Sequence, residues 1–293
     1  VKGDVRNRSL LKALFAAYPI TAVMHFAGLK AVGESVREPL RYYETNVGGS
    51  IALCQAMAEA GVFKLVFSSS ATVYGESPVM HITEDRPTGV PTNPYGQSKL
   101  MAENVLKGLA DSDPRWSIAL LRYFNPVGAH PSGRLGEDPS GVPANLMPFV
   151  ARVASGAYPE LRVFGADFDT RDGSAVRDFI HVMDLAEAHV AGLEWLAARV
   201  ATGGGTTTRV WNIGRGEGVT VFEMVRAFEA VTGGRIPYRV VERRPGDIAE
   251  SCAAVDAIGA EVGWHARRDV TAMVRDLWAW QEANPAGFSS RTE

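Results

Sequence analysis

The chain has 293 residues, a length that favours about two domains. Charged residues make up 22% and hydrophobic residues 46%, which is typical of globular proteins and argues against disorder. With 30 Lys and Arg against 33 Asp and Glu, the net charge of -3 gives no general basic surface for nucleic acid.

The chain also has no feature that predicts a membrane or secreted location. No stretch approaches the roughly 18 uninterrupted apolar residues that a membrane span requires, and the first residues are too polar for a secretory signal. Two cysteines, Cys54 and Cys252, cannot form a disulfide framework and indicate a reducing compartment. We therefore expect a soluble cytoplasmic protein.

Short apolar runs alternate with longer helical patterns, which predicts βαβ units on a mainly parallel, doubly wound sheet. Up to residue 125 we expect helices over 9–17, 39–60 and 94–110, and strands over 21–28, 64–70 and 117–124. Gly61 would end the second helix. Residues 126–145 are rich in Gly, Pro and Asp and indicate a long functional loop. Beyond it we expect helices over 145–155, 184–200, 220–232 and 269–284, strands over 161–164, 178–182, 209–213 and 238–241, and a surface turn over 202–208.

The chemistry is concentrated in Tyr95 and Lys99, at the start of a predicted helix. A spacing of four residues puts the phenol and the ammonium on one helix face. A nearby cation favours the phenolate and should lower the Tyr95 pKa, as a tyrosine general base requires. This spacing also arises by chance in surface pairs, and on this pattern alone such a pair is the commoner explanation. The context adds Ser68–Ser70, which end the preceding strand where ligands bind in parallel sheets; turn capping is the alternative role.

A strand-end serine followed by a helix-start Tyr and Lys resembles the triad of the short-chain dehydrogenase/reductase superfamily. Longer segments are similar to the UDP-glucose 4-epimerase family essentially from end to end: residues 25–35, SSSATVYG at 68–75, NPYGQSK at 93–99, LLRYFNPVGAHPSG at 120–133, NLMP at 145–148 and VRDFIHVMDLA at 176–186. The resemblance implies a Rossmann-type NAD-binding domain over 1–125. It also implies a smaller, mainly UDP-sugar-binding α/β domain over 126–293, with parts of 176–214 returning to the first domain.

The resemblance also implies residue roles. Tyr95 would be the base and acid at the sugar 4-hydroxyl, Lys99 would bind the nicotinamide ribose, and Ser70 would bind the same sugar hydroxyl. The implied NAD contacts are Asp4 and Val5 at the adenine end, Phe26, Ala27, Gly28, Leu29 and Lys30 along the dinucleotide, and Phe124 near the nicotinamide. The implied substrate contacts are Asn125, Asn145, Leu146, Arg162, Val163, Phe164, Arg177, Arg244, Asp247 and Ser251.

Some of these residues have simpler explanations. Arg177 precedes Asp178 and would form a structural ion pair with it, and Arg244 follows Arg243 in what would be a solvated charged turn. Ser251 stands where the family often has a bulky residue, so its small side chain would leave room for an N-acetyl group on the sugar. The six histidines lack metal-ligand spacing, so we expect no metal site, and His25 and His181 should lie in or near the core.

The implied activity is interconversion of UDP-galactose and UDP-glucose by transient NAD-dependent oxidation at sugar C4. The implied assembly is a homodimer, formed through helices near 40–60 and 94–110. A nucleotide-sugar 4,6-dehydratase is one alternative, but Ala71-Thr72-Val73 after Ser70 lacks the carboxylates that elimination of water requires. A catalytically inactive epimerase fragment is the other.

The inactive alternative rests on the N-terminus. The sequence matches the family only after roughly its first fifty residues, without the Gly-rich strand–turn–helix that receives pyrophosphate. We expect an N-terminally truncated sheet lacking its first strands, with strand 22–26 at an exposed apolar edge, and weak NAD binding in a fluorescence titration. Gly214–Gly218 is Gly-rich, but it matches the family's later turn.

Overall fold

The computed structural model describes residues 1–75, 80–139, 141–143, 145–202, 207–244 and 247–288. The strands are β1 (Val23–His25), β2 (Lys64–Ser70), β3 (His81–Ile82), β4 (Ser117–Tyr123), β5 (Asn125–Val127), β6 (Leu161–Phe164), β7 (Val176–His181), β8 (Thr207–Ile213), β9 (Gly218–Thr220), β10 (Tyr238–Val241) and β11 (Glu250–Ala253). The α-helices are α1 (Arg8–Ala17), α2 (Val32–Arg37), α3 (Pro39–Tyr42), α4 (Gly49–Glu59), α5 (Pro94–Ser112), α6 (Leu146–Ala154), α7 (Val182–Ala201), α8 (Val221–Thr232), α9 (Asp256–Val262) and α10 (Val270–Ala283). A π-helical turn over Tyr43–Gly48 joins α3 to α4, and a 3-10 turn over Ala71–Tyr74 follows β2.

The first sheet is entirely parallel and has the strand order β1-β2-β4-β8. Successive side chains of a strand point to opposite faces, so one strand serves two cores. Leu65 and Phe67 of β2 pack towards α4 and α5, whereas Val66 packs on the other side, towards α7. Helices therefore cover both faces, as in a doubly wound sheet.

A second group of strands lies mostly beyond Phe124 in the chain, with β3 as its one earlier member. β5, β7, β11 and β3 pair in parallel, and β9 runs antiparallel to β7. β6 and β10 form a separate parallel pair. A third core, drawn from residues beyond 126, lies among α6, α8 and α10. The chain leaves the first sheet after β4 and enters the second at β5, so the Asn125-Pro126 break in the apolar run marks a change of sheet.

Most expected elements are present. β2, β6 and β10 have the expected bounds, and Gly61 has a positive φ of 73°, as a helix-ending glycine should. The expected helix over 39–60 is interrupted by the π turn, and the strand expected over 21–28 has only three paired residues. β1 lies at the end of its sheet and pairs with β2 alone among the described strands. Its edge position is as expected, but Val23 and Met24 are partly buried and His25 is buried.

Several short elements have no signal in the sequence analysis: α2, β3, β9, β11 and α9. Such segments pair or pack only because distant parts of the chain meet them. Residues 207 and 208 belong to β8 and not to the expected surface turn, of which 203–206 lie outside the described residues. Among the described helices, none combines the length and apolar character needed to cross a bilayer. The described segments also contain no cluster of three or more His, Cys, Asp or Glu side chains suited to a metal ion.

Candidate active site

The start of α5 lies against the carboxyl end of β2. The Asn93 side chain accepts a hydrogen bond from the Gly96 N–H (2.9 Å), and Pro94 occupies the first turn, so the helix begins just before Tyr95. A Cβ on Gly96 would lie 2.9 Å from the Pro91 Cβ and 3.2 Å from the Thr72 Cβ. This close approach holds Tyr95 beside the turn that follows Ser70.

Ser70 is buried and has two roles. Its Oγ accepts hydrogen bonds from the Thr72 backbone N–H (3.2 Å) and the Thr72 hydroxyl (2.9 Å), so it does cap the 3-10 turn. Its own proton then remains free to donate, and its hydrogen bond to Tyr95 acts to lower the Tyr95 pKa. Turn capping and contact with the phenol therefore occur together.

Lys99 is buried, which rules out a solvent-exposed surface pair. Its Nζ donates a hydrogen bond to the Ser68 carbonyl (2.7 Å) and lies 5.0 Å from the centre of the Phe67 ring. Burial lowers the pKa of Lys99 to about 8, and the Glu103 carboxylate partly opposes that change. The ammonium is thus held in place by β2, close to the end of the strand.

The expected lowering of the Tyr95 pKa is wrong for this structure. Burial raises the pKa of Tyr95 above its ordinary value, and Ser70 offsets only part of the rise. The Lys99 ammonium is committed to the Ser68 carbonyl and does not reverse the effect. A phenolate at Tyr95 therefore needs stabilisation beyond what these side chains supply in the absence of ligands.

Tyr123 and His189 form a second polar group beside Tyr95, and the sequence analysis missed both. The His189 Nδ1–H donates to the Leu185 carbonyl (2.8 Å), which leaves Nε2 to accept the Tyr123 hydroxyl proton. Burial lowers the pKa of His189, in keeping with a neutral ring. The half-exposed Phe26 ring lies 4.6 Å from the His189 ring. Nothing local in the sequence pairs residues so far apart.

The segment 26–30 after β1 is held by Asn46, another residue that the sequence analysis missed. Its Oδ1 accepts from the Leu29 N–H (2.7 Å), and its Nδ2 donates to the Leu29 carbonyl (3.0 Å) and to the Ser98 Oγ (2.9 Å). A Cβ on Gly28 would lie 3.1 Å from the Asn46 Oδ1 and 3.7 Å from the Lys99 Nζ. Asn46 lies in the π turn, and the sequence there, TNVGG, is a run of poor helix formers. That run is the one sequence feature that could have indicated an irregular helix at Asn46.

The other expected cofactor residues are more dispersed. Lys30 forms an ion pair with Glu137 (2.6 Å), across to the long loop. Asp4 binds Arg6, and Val5 packs against Gly49, where a Cβ would lie 2.6 Å from the Val5 Cγ1. Ala27 follows Phe26 and is exposed. Phe124 is buried with Val73, Tyr74 and Leu100, directly behind the turn after Ser70.

The expected phosphate-binding residues come together. The Arg177 guanidinium donates to the Val176 carbonyl (2.8 Å), and burial lowers its pKa while Asp247 acts to raise it and Arg244 to lower it. Arg244 binds Asp247 (2.9 Å) and lies 4.7 Å from the centre of the Phe164 ring. In the strand register, Ser251 pairs with Arg177.

The alternative explanations of the two arginines have different outcomes: Arg244 and Arg243 are exposed, as a solvated charged turn predicts, whereas the ion pair expected for Arg177 is not formed. Asp178 is buried and accepts backbone N–H bonds from Arg215 (2.8 Å), Gly216 (3.0 Å) and Ala253 (3.1 Å). An Arg177–Asp178 ion pair is therefore not formed, because Asp178 is used to join β7 to two distant segments. Arg243 binds Asp167 (2.7 Å) and stacks on Phe168.

The remaining expected substrate residues lie on β5, α6 and β6. Asn125 pairs with Phe179 in the strand register. Asn145 is exposed at the start of α6, and Leu146 packs on the third core. Val163 points into that core, so only its backbone is available, whereas Arg162 is exposed and lines an open pocket of about 240 Å³ with Phe149, Tyr158 and Arg239.

Comparison with known proteins agrees with this arrangement. Residues 1–214 match the model of the NAD dependent epimerase/dehydratase family. The chain belongs to that family.

Relatives of this epimerase/dehydratase family member include a UDP-glucose 4-epimerase from Bacillus subtilis, 53% identical over 289 residues, which covers 99% of this chain and 83% of the relative. A UDP-glucose-4-epimerase structure from Stenotrophomonas maltophila, with bound NAD and formylated UDP-arabinopyranose, has a TM-score of 0.93 at 49% identity over 97% of this chain and 83% of its own. The Bifidobacterium longum enzyme in complex with NAD+ and UDP has a TM-score of 0.90 at 48% identity, over 98% of this chain and 84% of its own. The resemblance based on sequence motifs and the Rossmann-type fold expected from it are confirmed.

Proposed function

We propose that this protein interconverts UDP-galactose and UDP-glucose by transient NAD-dependent oxidation at sugar C4. The observation that carries the proposal is the Ser70 hydroxyl beside the Tyr95 phenol, with the buried Lys99 ammonium bound to the carbonyl of Ser68 at the end of the same strand. Relatives at about half identity are UDP-glucose 4-epimerases, and solved relatives bind NAD with UDP or a UDP-sugar.

The residues present fit a nicotinamide dinucleotide. The Phe26–Lys30 backbone is held by Asn46 and passes close to Lys99 at a glycine, which leaves space that a Cβ would partly fill. Phe26 offers an exposed aromatic face. NAD, when bound, supplies the hydride acceptor and donor for the sugar carbon. We assign Asp4, Val5, Phe26–Lys30 and Phe124 to this group, with Lys99 at the ribose.

The side chains of the protein then carry out proton transfer and substrate binding. Tyr95 takes the proton of the sugar 4-hydroxyl and later returns it, while Ser70 donates a hydrogen bond that favours the phenolate. Arg177 and Arg244 provide guanidinium forks for the diphosphate, and Asp247 accepts from the uridine ribose. Asn125, Asn145, Leu146 and the Arg162–Phe164 strand surround the nucleotide sugar. Firm binding of the diphosphate allows the 4-keto sugar to turn over without leaving.

The Tyr95→Phe variant tests this function. We expect kcat for UDP-galactose to fall about 10²- to 10⁴-fold, the usual contribution of a general base, with an unchanged melting temperature. Tyr18→Phe, at an exposed position, is the matched control and should keep wild-type turnover when NAD is added to both. Full activity of Tyr95→Phe, or formation of a 4-keto-6-deoxy sugar by the wild type, would contradict the proposal.

We also propose that the active site accepts N-acetylated sugars, because Ser251 is small. Ser251 lies in the register position beside Arg177, which we assign to the diphosphate. We expect kcat/KM for UDP-N-acetylgalactosamine within about tenfold of that for UDP-galactose, since the extra group meets no bulky side chain. Ser251→Tyr should selectively depress turnover of the acetylated sugar. Rejection of that sugar by the wild type would end this part of the proposal.

We further propose a cytoplasmic homodimer with two functional parts. Leu40 is 80% exposed and Val36 62% exposed, and Ile51 and Met101 add apolar surface on α4 and α5, near the helices expected to dimerise. Both cysteines are buried and free, which suits a reducing compartment.

The NAD-binding part would comprise 1–125, and the UDP-sugar part mainly 126–293. The pairing of β8 with β4 supports the return of part of 176–214 to the first.

A further inference from the structure

A buried ionic group lies behind the catalytic side chains, and the proposed reaction leaves it unused. Its centre is Glu103, which is fully buried on α5, one helical turn after Lys99. The Glu103 carboxylate accepts hydrogen bonds from the Ser69 hydroxyl (2.5 Å), from the Arg122 Nε (2.9 Å) and Nη2 (2.7 Å), and from the Lys107 Nζ (3.1 Å).

Two of the partners of Glu103, Ser69 and Arg122, are next to residues of the candidate active site. Ser69 of β2 lies between Ser70 and the Ser68 carbonyl that receives Lys99. Arg122 of β4 precedes Tyr123. The Glu103 carboxylate of α5 therefore binds side chains of both β2 and β4. All three elements contribute polar groups to the candidate site close to these contacts.

Stability alone is a weak explanation of this group. Burying an ion pair has a desolvation penalty that its Coulombic attraction often fails to repay, so well-packed apolar residues of similar volume commonly do as well. The Arg122 Nη1 also lacks a hydrogen-bond partner among the described residues, and its guanidinium instead faces the Tyr74 ring at 4.7 Å. The geometry is better explained by a need for a fixed negative charge beside Lys99.

We propose that Glu103 is a positioning residue that keeps the buried Lys99 protonated and holds Ser70 and Lys99 in register. The inference rests on the proposed function only in its consequence for turnover. The charge effect itself belongs to the protein without ligands and can be measured there.

The surroundings of Lys99 leave Glu103 as its main source of negative charge. His25 faces Lys99 from β1, but burial, aided by Lys99 itself, lowers the pKa of His25 to about 4, so that its ring is neutral. Phe67 and the Ser68 carbonyl face it from β2. Glu103 is met by Ser69, Arg122, Lys107 and, at longer range, the Tyr74 phenol. Burial acts to raise the pKa of Glu103, but Arg122, Ser69 and Lys107 together hold it below its ordinary value.

Lysine side-chain NMR gives a direct test, because the chain has only six lysines: Lys2, Lys12, Lys30, Lys64, Lys99 and Lys107. The Lys99 Cε–Nζ signal is assigned as the one missing from Lys99→Met. In Glu103→Gln we expect its titration midpoint to fall by about one pH unit, the effect of losing one nearby opposite charge. Lys107→Met is the matched control, since it removes a surface ion pair with Glu103 but keeps the anion, and its Lys99 midpoint should not fall.

A folded Glu103→Gln with an unchanged Lys99 midpoint would overturn the proposal. If that variant does not fold, Glu103→Gln with Arg122→Gln removes both buried charges, and a smaller fall is expected because loss of the Arg122 cation offsets part of the loss of the Glu103 anion. In turnover assays, the loss of kcat at alkaline pH should begin about one pH unit lower in Glu103→Gln than in Lys107→Met. A protein without epimerase activity would refute the proposed function while leaving the NMR result intact.

Discussion

The hydrogen-bond partners of single residues explain how the segment after β1 keeps its shape. The Asn46 side-chain amide accepts a hydrogen bond from the Leu29 N–H and donates one to the Leu29 carbonyl. This one side chain therefore supplies the hydrogen-bond partners that a neighbouring strand would otherwise provide. Buried backbone groups need such partners, because leaving them unpaired has a free-energy cost of about 1–3 kcal/mol. The conformation of 26–30 therefore depends on a residue in the neighbouring helix.

We predict that Asn46→Ala weakens NAD binding about tenfold, because the Leu29 N–H and carbonyl lose their partners and the segment no longer has a fixed shape. Calorimetric titration with NAD measures the change. Asn7→Ala, which removes only the cap of α1, is the control and should bind NAD like the wild type. Equal affinities for the two variants would show that Asn46 does not organise the cofactor segment.

At the scale of elements, β1 is joined to α4 by a buried histidine. The His25 Nε2 lies 3.0 Å from the Ser50 Oγ, and burial, together with Lys99, lowers the pKa of His25 from 6.5 to about 4. As pH falls from 6.5 to 4, the unfolded chain takes up a proton that the folded protein excludes. Stability from this site is therefore complete above pH 6.5 and is lost progressively on acidification.

We predict that His25→Gln reduces the acid sensitivity of folding. Between pH 7 and pH 4.5, the wild type should lose about 2 kcal/mol more unfolding free energy than the variant. Urea unfolding at the two pH values measures this difference. His181 and His189 are also buried with lowered pKa values, but they are present in both proteins and cancel in the comparison. Identical losses would mean that His25 is not kept neutral by burial.

At the scale of the whole molecule, the candidate site draws its residues from the first sheet and from the second group of strands. The first sheet supplies Ser70 and Tyr123 at its strand ends, and the second group of strands supplies Arg177 and Ser251. The ion pair between Lys30 and Glu137 links the segment after β1 to the long loop. The residues proposed for proton transfer and those proposed for nucleotide binding thus come from different parts of the chain.

We predict that Leu40→Glu converts the proposed homodimer into a monomer, because the charge would be buried without a partner at the interface. Light scattering after gel filtration should give half the wild-type mass. Val190→Glu is the control, since Val190 is 50% exposed on α7, which covers the face of the first sheet opposite to α4 and α5. A wild-type mass for Leu40→Glu would exclude an interface centred on this residue.

The sequence by itself determined the elements with strong periodicity and the local group of candidate catalytic side chains. β2, β6 and β10 were expected with their observed bounds because the apolar pattern of a strand is contained within the strand. Tyr95 and Lys99 share a helix and Ser70 ends β2, so their spacing together with the family motifs was enough to group them. The motifs also predicted the family correctly.

Only the tertiary structure decided what surrounds those groups. The direction of the Tyr95 pKa, the hold of Asn46 on Leu29, and the ion pair of Glu103 with Arg122 all depend on burial and on partners far away in the chain. The same holds for Arg177, whose adjacent carboxylate is taken by backbone donors from Arg215 and Ala253. Desolvation and distant pairing arise only when the chain is folded, and for that reason no local pattern in the sequence encodes them in readable form.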